Sequence, residues 1–256
     1  MEHLDSGIGA QGRERTRRPA CEPWRAWLLH TFTAAGAVFG FLALGAAVNR
    51  HARSAIAWLL VCLVIDGVDG TLARSWNVAE ALPQIDGNTL DVIVDFVNCV
   101  MVPMAFIWRF DLLPGVISVP VIATLVITSA LWFSRTDMMT CDGWFNGFPT
   151  EWNLVVPTLF LLGVSPFVNA GIMLSLAALQ LTSVKFVHPM RVREGRAVTV
   201  TVTVCWLASI VALLSLFPDR PVWATAPILG AAAYHSLLSV RRSMVGELPD
   251  VRPATA

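Results

Sequence analysis

The stretch with the residues for chemistry runs from Asp66 to Asp95 and reads DGVDGTLARSWNVAEALPQIDGNTLDVIVD. Asp66 and Asp69 are three residues apart, and Asp91 and Asp95 are four apart. On helices, each spacing puts two carboxylates on one face. Four acids brought together repel one another unless cations lie between them, and oxygen ligands of this kind suit hard divalent ions such as Mg²⁺ or Mn²⁺. Gly67, Gly70 and Ala73 leave a helix surface with little bulk, where a flat or phosphorylated ligand can come close to the backbone. Arg74 follows one turn after Gly70, and its planar fork suits a phosphate. Acids for metal, small residues for approach and an arginine for phosphate together point to a metal-bridged diphosphate. Small residues taken alone would serve helix packing in a membrane equally well.

The elements that must position these groups are membrane-spanning helices. The 256 residues are 55% hydrophobic and only 14% charged, with mean hydropathy +0.64. Soluble domains are nearer a quarter charged, so a water-soluble globular enzyme is excluded and an all-α, polytopic helical bundle is expected. About eight apolar spans can be drawn: 27–48, 54–74, 89–110, 114–133, two within 154–184 turning near Ser165 and Pro166, 197–217 and 221–240. Most are near the ~20 residues that cross ~30 Å of hydrocarbon; the fifth is short unless residues 149–153 begin its helix. Asn88 is the expected N-cap of the third span, with Asp91 in its first turn. Asp86 can be read as a turn residue before Gly87 or as a further ligand.

Charge placement orients the bundle. Arg13, Arg15, Arg17, Arg18 and Arg25 make residues 1–25 basic, and the apolar run after them is too long for the core of a signal peptide. A cytoplasmic tail is expected there, a membrane domain over 26–242, and a second cytoplasmic tail over 243–256. With the N-terminus inside, 14 of the 18 basic residues fall on the cytoplasmic side, leaving Arg50, Arg53, Arg109 and Arg220 outside. The aspartates, an aromatic loop (RTDMMTCDGWFNGFPTEWN, 135–153) and a basic loop (KFVHPMRVREGR, 185–196) then share one membrane face. The five cysteines show no paired spacing, and no disulfide framework or zinc site is expected.

The aspartate pattern resembles the signature of the CDP-alcohol phosphotransferases: Asp, two residues, Asp-Gly, two residues, Ala-Arg, usually eight residues, Gly, three residues, Asp, three residues, Asp. It matches at Asp66, Asp69, Gly70, Ala73, Arg74, Gly87, Asp91 and Asp95. It departs in one interval, since twelve residues, 75–86, separate Arg74 from Gly87. That longer gap, the number of spans and the segments FNGFPTEWN and KFVHPMRVR are similar to the bacterial phosphatidylcholine synthase branch. The resemblance implies that choline attacks the lipid-linked phosphorus of CDP-diacylglycerol in a cytoplasm-facing site of a bacterial inner-membrane enzyme. It implies two divalent ions, Mn²⁺ or Mg²⁺, on Asp66, Asp69, Asp91 and Asp95, with Asp95 also the general base. It implies CDP contacts from Asp66, Gly67, Gly70, Thr71, Ala73, Arg74 and Gly87. A homodimer is expected from the family, and nucleic acid is not an expected partner.

Choline is a quaternary ammonium, so aromatic faces and carboxylates are its natural partners. Trp144, Phe145, Phe148, Glu151 and Trp152 crowd the aromatic loop and are candidates for that cation; an interfacial aromatic belt is the competing reading. His188, Arg191 and Arg193 are candidates for the lipid-linked phosphate, against a purely topological role for a basic loop. His30 and Thr33, at the start of the first span, could border the site. Two other functions compete: a sister transferase with serine or glycerol phosphate as acceptor, and a cation transporter using buried acids as ion ligands. The second explains the aspartates but leaves the Ala-Arg and Gly spacing without a purpose.

Overall fold

The computed structural model describes residues 21–192 and 195–245. Among the described residues, four helices are long and apolar enough to cross a membrane: α1 (Pro23–Val48), α2 (Ala52–Trp76), the continuous rod Gly87–Arg109, and α9 (Arg196–Leu216). The rod consists of α4 (Gly87–Asp95), a π-helical turn (Phe96–Met101) and α5 (Val102–Arg109). Shorter apolar helices are α6 (Ser118–Phe133), α7 (Trp152–Leu162) and α8 (Pro166–Gln180). α3 (Val78–Ala81) is a single turn, and α10 (Val222–Met244) closes the described chain. The bundle is that of a membrane protein: Val116, Phe167, Phe41, Val222 and Trp223 are all more than 60% exposed, and a water-soluble surface rarely carries so much bare hydrocarbon.

Local sequence explains the breaks. Pro23 sits in the first turn of α1, where a missing N–H costs nothing. α2 stops at Asn77, whose left-handed backbone (φ 51°) turns its N–H back onto the Ala73 carbonyl. Gly163 ends α7 in the same conformation, and Pro166 starts α8, so the turn falls where Ser165 and Pro166 placed it. The fifth apolar helix begins at Trp152 and spans eleven residues. It is the most enclosed helix in the bundle, with Trp152, Val156 and Leu161 within the main core beside Phe106, Ile107 and Leu125.

Two expectations change. The cap of α4 is Asp86, not Asn88: its carboxylate accepts the N–H groups of Asn88 (3.0 Å) and Thr89 (3.3 Å) and the Thr89 hydroxyl (2.9 Å). A carboxylate two residues upstream reaches both orphan donors, whereas Asn88 already belongs to the helix. The aromatic loop also carries regular structure. Its Phe145 and Asn146 (β1) pair antiparallel with Phe186 and Lys185 (β2) of the basic loop. The two loops are thus tied into one unit, and the Lys185 N–H joins it to α10 through the Ser243 hydroxyl at 2.9 Å.

α1 packs on α2, α4 and α5. Glycines on α1 allow that closeness. A Cβ on Gly36 would lie 2.9 Å from Val94 Cγ1, and one on Gly40 would overlap the Asn98 carboxamide. The segment carrying Asp91 and Asp95 is therefore pressed against a flat face of α1.

Candidate functional site

α2 delivers Asp66 and Asp69, and α4 delivers Asp91 and Asp95. Carboxylate oxygens of Asp66, Asp91 and Asp95 lie within 4.8 Å of one another. Among the described residues, none of the three has a basic partner at ion-pair distance. Three like charges this close need a neutralising group, and an all-oxygen donor set fits a hard divalent cation. Asp69 is buried, 4% exposed, and stands outside that trio.

Above the trio is a cavity of about 740 Å³. α2 contributes Asp66, Gly67, Asp69, Gly70, Thr71, Ala73 and Arg74 to its wall; Asp86, Gly87, Asn88 and Asp91 come from the start of α4. Every residue expected to touch a CDP group therefore faces the same space. A Cβ at Gly67 would meet nothing within 4 Å, so the bare backbone opens directly onto the cavity. Arg74 folds back along its helix, with Nη1 3.2 Å from where a Gly70 Cβ would stand and Nη2 donating to Thr71 Oγ1 at 3.4 Å. Asp86 is occupied with its cap; the Thr89 hydroxyl, then the backbone N–H groups, hold its carboxyl below the ordinary range.

α1 closes one side with His30 and Thr33, and the basic loop covers another with His188, Met190 and Arg191. His30 is buried, with Nε2 unpartnered, and its Cε1 would stand 3.2 Å from a Cβ at Gly87. A side chain at the first residue of α4 would therefore crowd the His30 ring, which would have to give by a few tenths of an ångström. Nothing in the sequence marks Met190, Asn77 or Ile85, which also line the space; they arrive through the turn after α2 and the folding back of the basic loop.

The basic loop is held in place from below. His188 stacks on Phe145, and its Nδ1 accepts the Met190 N–H at 3.3 Å, leaving the proton on Nε2. Burial, then Arg191 and Arg74, push the imidazole down to about 4, so it is neutral at physiological pH. Gly143 (φ 87°) passes so close to Arg191 that a Cβ there would be 3.0 Å from the arginine's own. Arg191 Nη1 also rests on Met139 Sδ at 2.9 Å. Arg193 lies outside the described residues.

The five choline candidates do not surround one opening. Trp152 is fully buried, its indole N–H donating to Ser129 Oγ at 2.9 Å. Phe148 packs edge-on against Trp152 and Phe186. Trp144 is 8% exposed beneath the Arg242 guanidinium, 6.0 Å from its ring centre. Phe145 does not line the cavity; it stacks on His188, which does. Glu151, the N-cap of α7, is the member nearest the acids: burial, then the charge of Asp66, push its carboxyl up to about 7.

No family model matches the chain. Curated relatives do. A phosphatidylcholine synthase of Pseudomonas aeruginosa is 38% identical over 77% of this chain and 84% of that protein. One from Borreliella burgdorferi is 32% identical over 76% of the chain and 82% of its own length. One from Legionella pneumophila is 34% identical over 85% and 88% respectively.

Proposed function

The chain belongs to the phosphatidylcholine synthase family, and on that footing we propose that it joins choline to the phosphatidyl group of CDP-diacylglycerol, releasing CMP. It is a metal-dependent membrane transferase of the CDP-alcohol phosphotransferase type. The observation that carries this reading is the convergence of Asp66, Asp91 and Asp95 beneath a cavity whose walls hold Arg74 and Arg191.

Asp66, Asp69, Asp91 and Asp95 would hold two divalent ions, Mg²⁺ or Mn²⁺, which would supply charge neutralisation of the diphosphate. Thr71, Arg74 and the bare backbone at Gly67 and Gly70 receive the nucleotide side of the donor. Arg191, with Arg193 beside it in sequence, and the His188 Nε2–H receive the lipid-side phosphate. Asp95 takes the hydroxyl proton of choline as that oxygen bonds to the lipid-side phosphorus. The bond from this phosphorus to the bridging oxygen breaks, and CMP leaves with the oxygen. An ordinary aspartate is a weak base near neutrality, so its placement against the hydroxyl must supply what its basicity lacks. Glu151 provides the countercharge for the quaternary ammonium, and Trp144, Phe145, Phe148 and Trp152 frame the loop from which it projects.

Eight spans in a bacterial inner membrane, entered from the cytoplasm by α1, give this cavity a cytoplasmic opening. The membrane domain covers 26–242 and works as a homodimer. The test uses purified protein in mixed micelles with CDP-diacylglycerol, Mn²⁺ or Mg²⁺, and labelled choline, serine or glycerol phosphate. Label entering lipid from choline alone, with CMP released in equal amount and lost in Asp95→Asn, is expected. Label from serine or glycerol phosphate instead would make it a sister transferase. Cation uptake into vesicles without CMP release would overturn the enzyme reading.

A further inference from the structure

The residue before Glu151 is held in a conformation it would not choose. Thr150 is fully buried, and its backbone is left-handed, with φ 63°. A β-branched side chain is strained there, and such strain persists only where the surroundings over-determine it. Here they do. Gln180, the last residue of α8 and itself fully buried, donates its amide to Thr150 Oγ1 at 2.8 Å and to Ser129 Oγ of α6 at 3.3 Å. We propose that Thr150 and Gln180 are positioning residues for the acceptor, holding the Glu151 carboxylate on the side of the aspartate trio and so setting the affinity for the acceptor's cationic group. This rests on the reading of Glu151 as the countercharge for a quaternary ammonium.

The turn that follows Thr150 leaves Glu151 little freedom. The Trp152 N–H donates to the Thr150 carbonyl at 2.8 Å, and Glu151 has φ −78° and ψ 53°. These are close to the angles of an inverse γ-turn, with Glu151 at its tip. The tip is near the acids: α7 packs on the π-helical turn that follows Asp95, and the charge of Asp66 acts on the Glu151 carboxyl.

Gln180 is fixed in turn. Arg135 Nη1 donates to its carbonyl at 3.1 Å and to that of Thr182 at 3.0 Å. Gly147, with φ 80°, passes so close that a Cβ there would lie 2.5 Å from the same Gln180 oxygen. The Phe148 N–H donates to the Leu179 carbonyl at 3.3 Å. The segment leading to Thr150 is thus laid across the end of α8.

Packing alone does not account for this arrangement. With its amide nitrogen on two hydroxyls, Gln180 Oε1 is buried without a partner among the described residues. An unmet buried acceptor is unfavourable, and a leucine here would have none. The strain at Thr150 and the unmatched oxygen of Gln180 both work against stability. What the two residues fix together is where Glu151 stands.

The experiment measures the KM for choline and for CDP-diacylglycerol separately, with the unfolding temperature of each variant, on the full chain in mixed micelles. Thr150→Gly accepts the backbone but drops the hydroxyl, and Gln180→Leu drops the amide. Each should raise the choline KM by about fivefold or more and leave the donor KM within about twofold. Thr150→Ser, which keeps the hydroxyl, should stay within about twofold of wild type for both substrates. Combining Gln180→Leu with Glu151→Gln should raise the choline KM no further than Glu151→Gln alone, because the amide acts through that carboxylate. Should Gln180→Leu aggregate, the same cycle with Thr150→Gly decides. Additive effects, or both KM values moving together with a lowered unfolding temperature, overturn the proposal. A choline KM raised by Glu151→Gln but by neither Thr150→Gly nor Gln180→Leu also overturns it, with the role of Glu151 intact. A choline KM unmoved by Glu151→Gln overturns that role and the proposal with it.

Discussion

The ring of Phe145 lies flat on the imidazole of His188, centroids 4.9 Å apart and planes 9° from parallel. Through this contact the aromatic loop props the basic loop over the aspartate cavity. Such a ring pair contributes about 0.5–1.5 kcal/mol beyond its buried area. Phe145→Ala should therefore raise the KM for CDP-diacylglycerol by roughly three- to tenfold, with a smaller effect on choline, and Phe145→Tyr should restore it. Steady-state kinetics with each substrate varied in turn measures the split. A rise confined to choline would place Phe145 at the acceptor instead.

The aspartate trio makes a prediction about metal. Chelation should abolish CMP release and either Mg²⁺ or Mn²⁺ should restore it. Asp66→Asn and Asp91→Asn should raise the metal concentration needed for half-maximal activity by about tenfold or more, since losing even an outer partner of a metal ligand costs about 10–100-fold. Asp95→Asn should cut turnover by at least about a hundredfold, the scale of a missing general base. Metal titrations of CMP release separate a loss that saturating metal repairs, expected for Asp66 and Asp91, from one that it does not, expected for Asp95, which is both a ligand and the base.

The contact of Gly40 with Asn98 ties stability to geometry. Gly40→Ala inserts a methyl where the Asn98 carboxamide stands, one turn beyond Asp95. Overpacking of this kind costs about 1–3 kcal/mol. Lower thermal stability in detergent and lower turnover are both expected, because the π turn carrying Asn98 continues directly from α4. Gly45→Ala on the same helix, where an added Cβ meets nothing within 4 Å, is the control and should be silent.

His188 gives stability a pH dependence of known sign. Its folded value, about 4, lies below the ordinary 6.5. Below 6.5 the unfolded chain binds a proton that the folded chain refuses, so stability falls as pH drops from 6.5 toward 4 and is fully present above 6.5. His188→Gln, which does not titrate, should flatten that part of a melting-temperature profile. Between pH 7 and 8 the two proteins should show the same pH slope.

Glu151 and Trp152 are neighbours with different fates. Glu151→Gln should raise the choline KM more than that for CDP-diacylglycerol, read from the same two-substrate kinetics. Trp152→Ala empties a fully buried site and should cost about 3–5 kcal/mol of stability. Its signature is a lowered unfolding temperature rather than a selective change in either KM.

The sequence by itself determined the helical membrane class and singled out the acids of which three form a cluster that could hold a metal. Hydrophobic run length and the three- and four-residue spacing of acids are local properties, and a helix converts them directly into a face. It also determined the turn at Ser165 and Pro166, because proline and the preceding glycine dictate backbone shape within a few residues. Capping was less legible: Asn88 and Asp86 are both good caps, and only the exact start of α4 chose between them. Tertiary structure alone decided which aspartates converge, since the meeting of Asp66 with Asp91 and Asp95 depends on how α2 and α4 cross. It alone sent Trp152 into the core and Trp144 beneath Arg242, although all the loop aromatics looked alike in sequence. An aromatic ring serves packing, a cation or an interface equally well, and its neighbours, brought from distant parts of the chain, select among them.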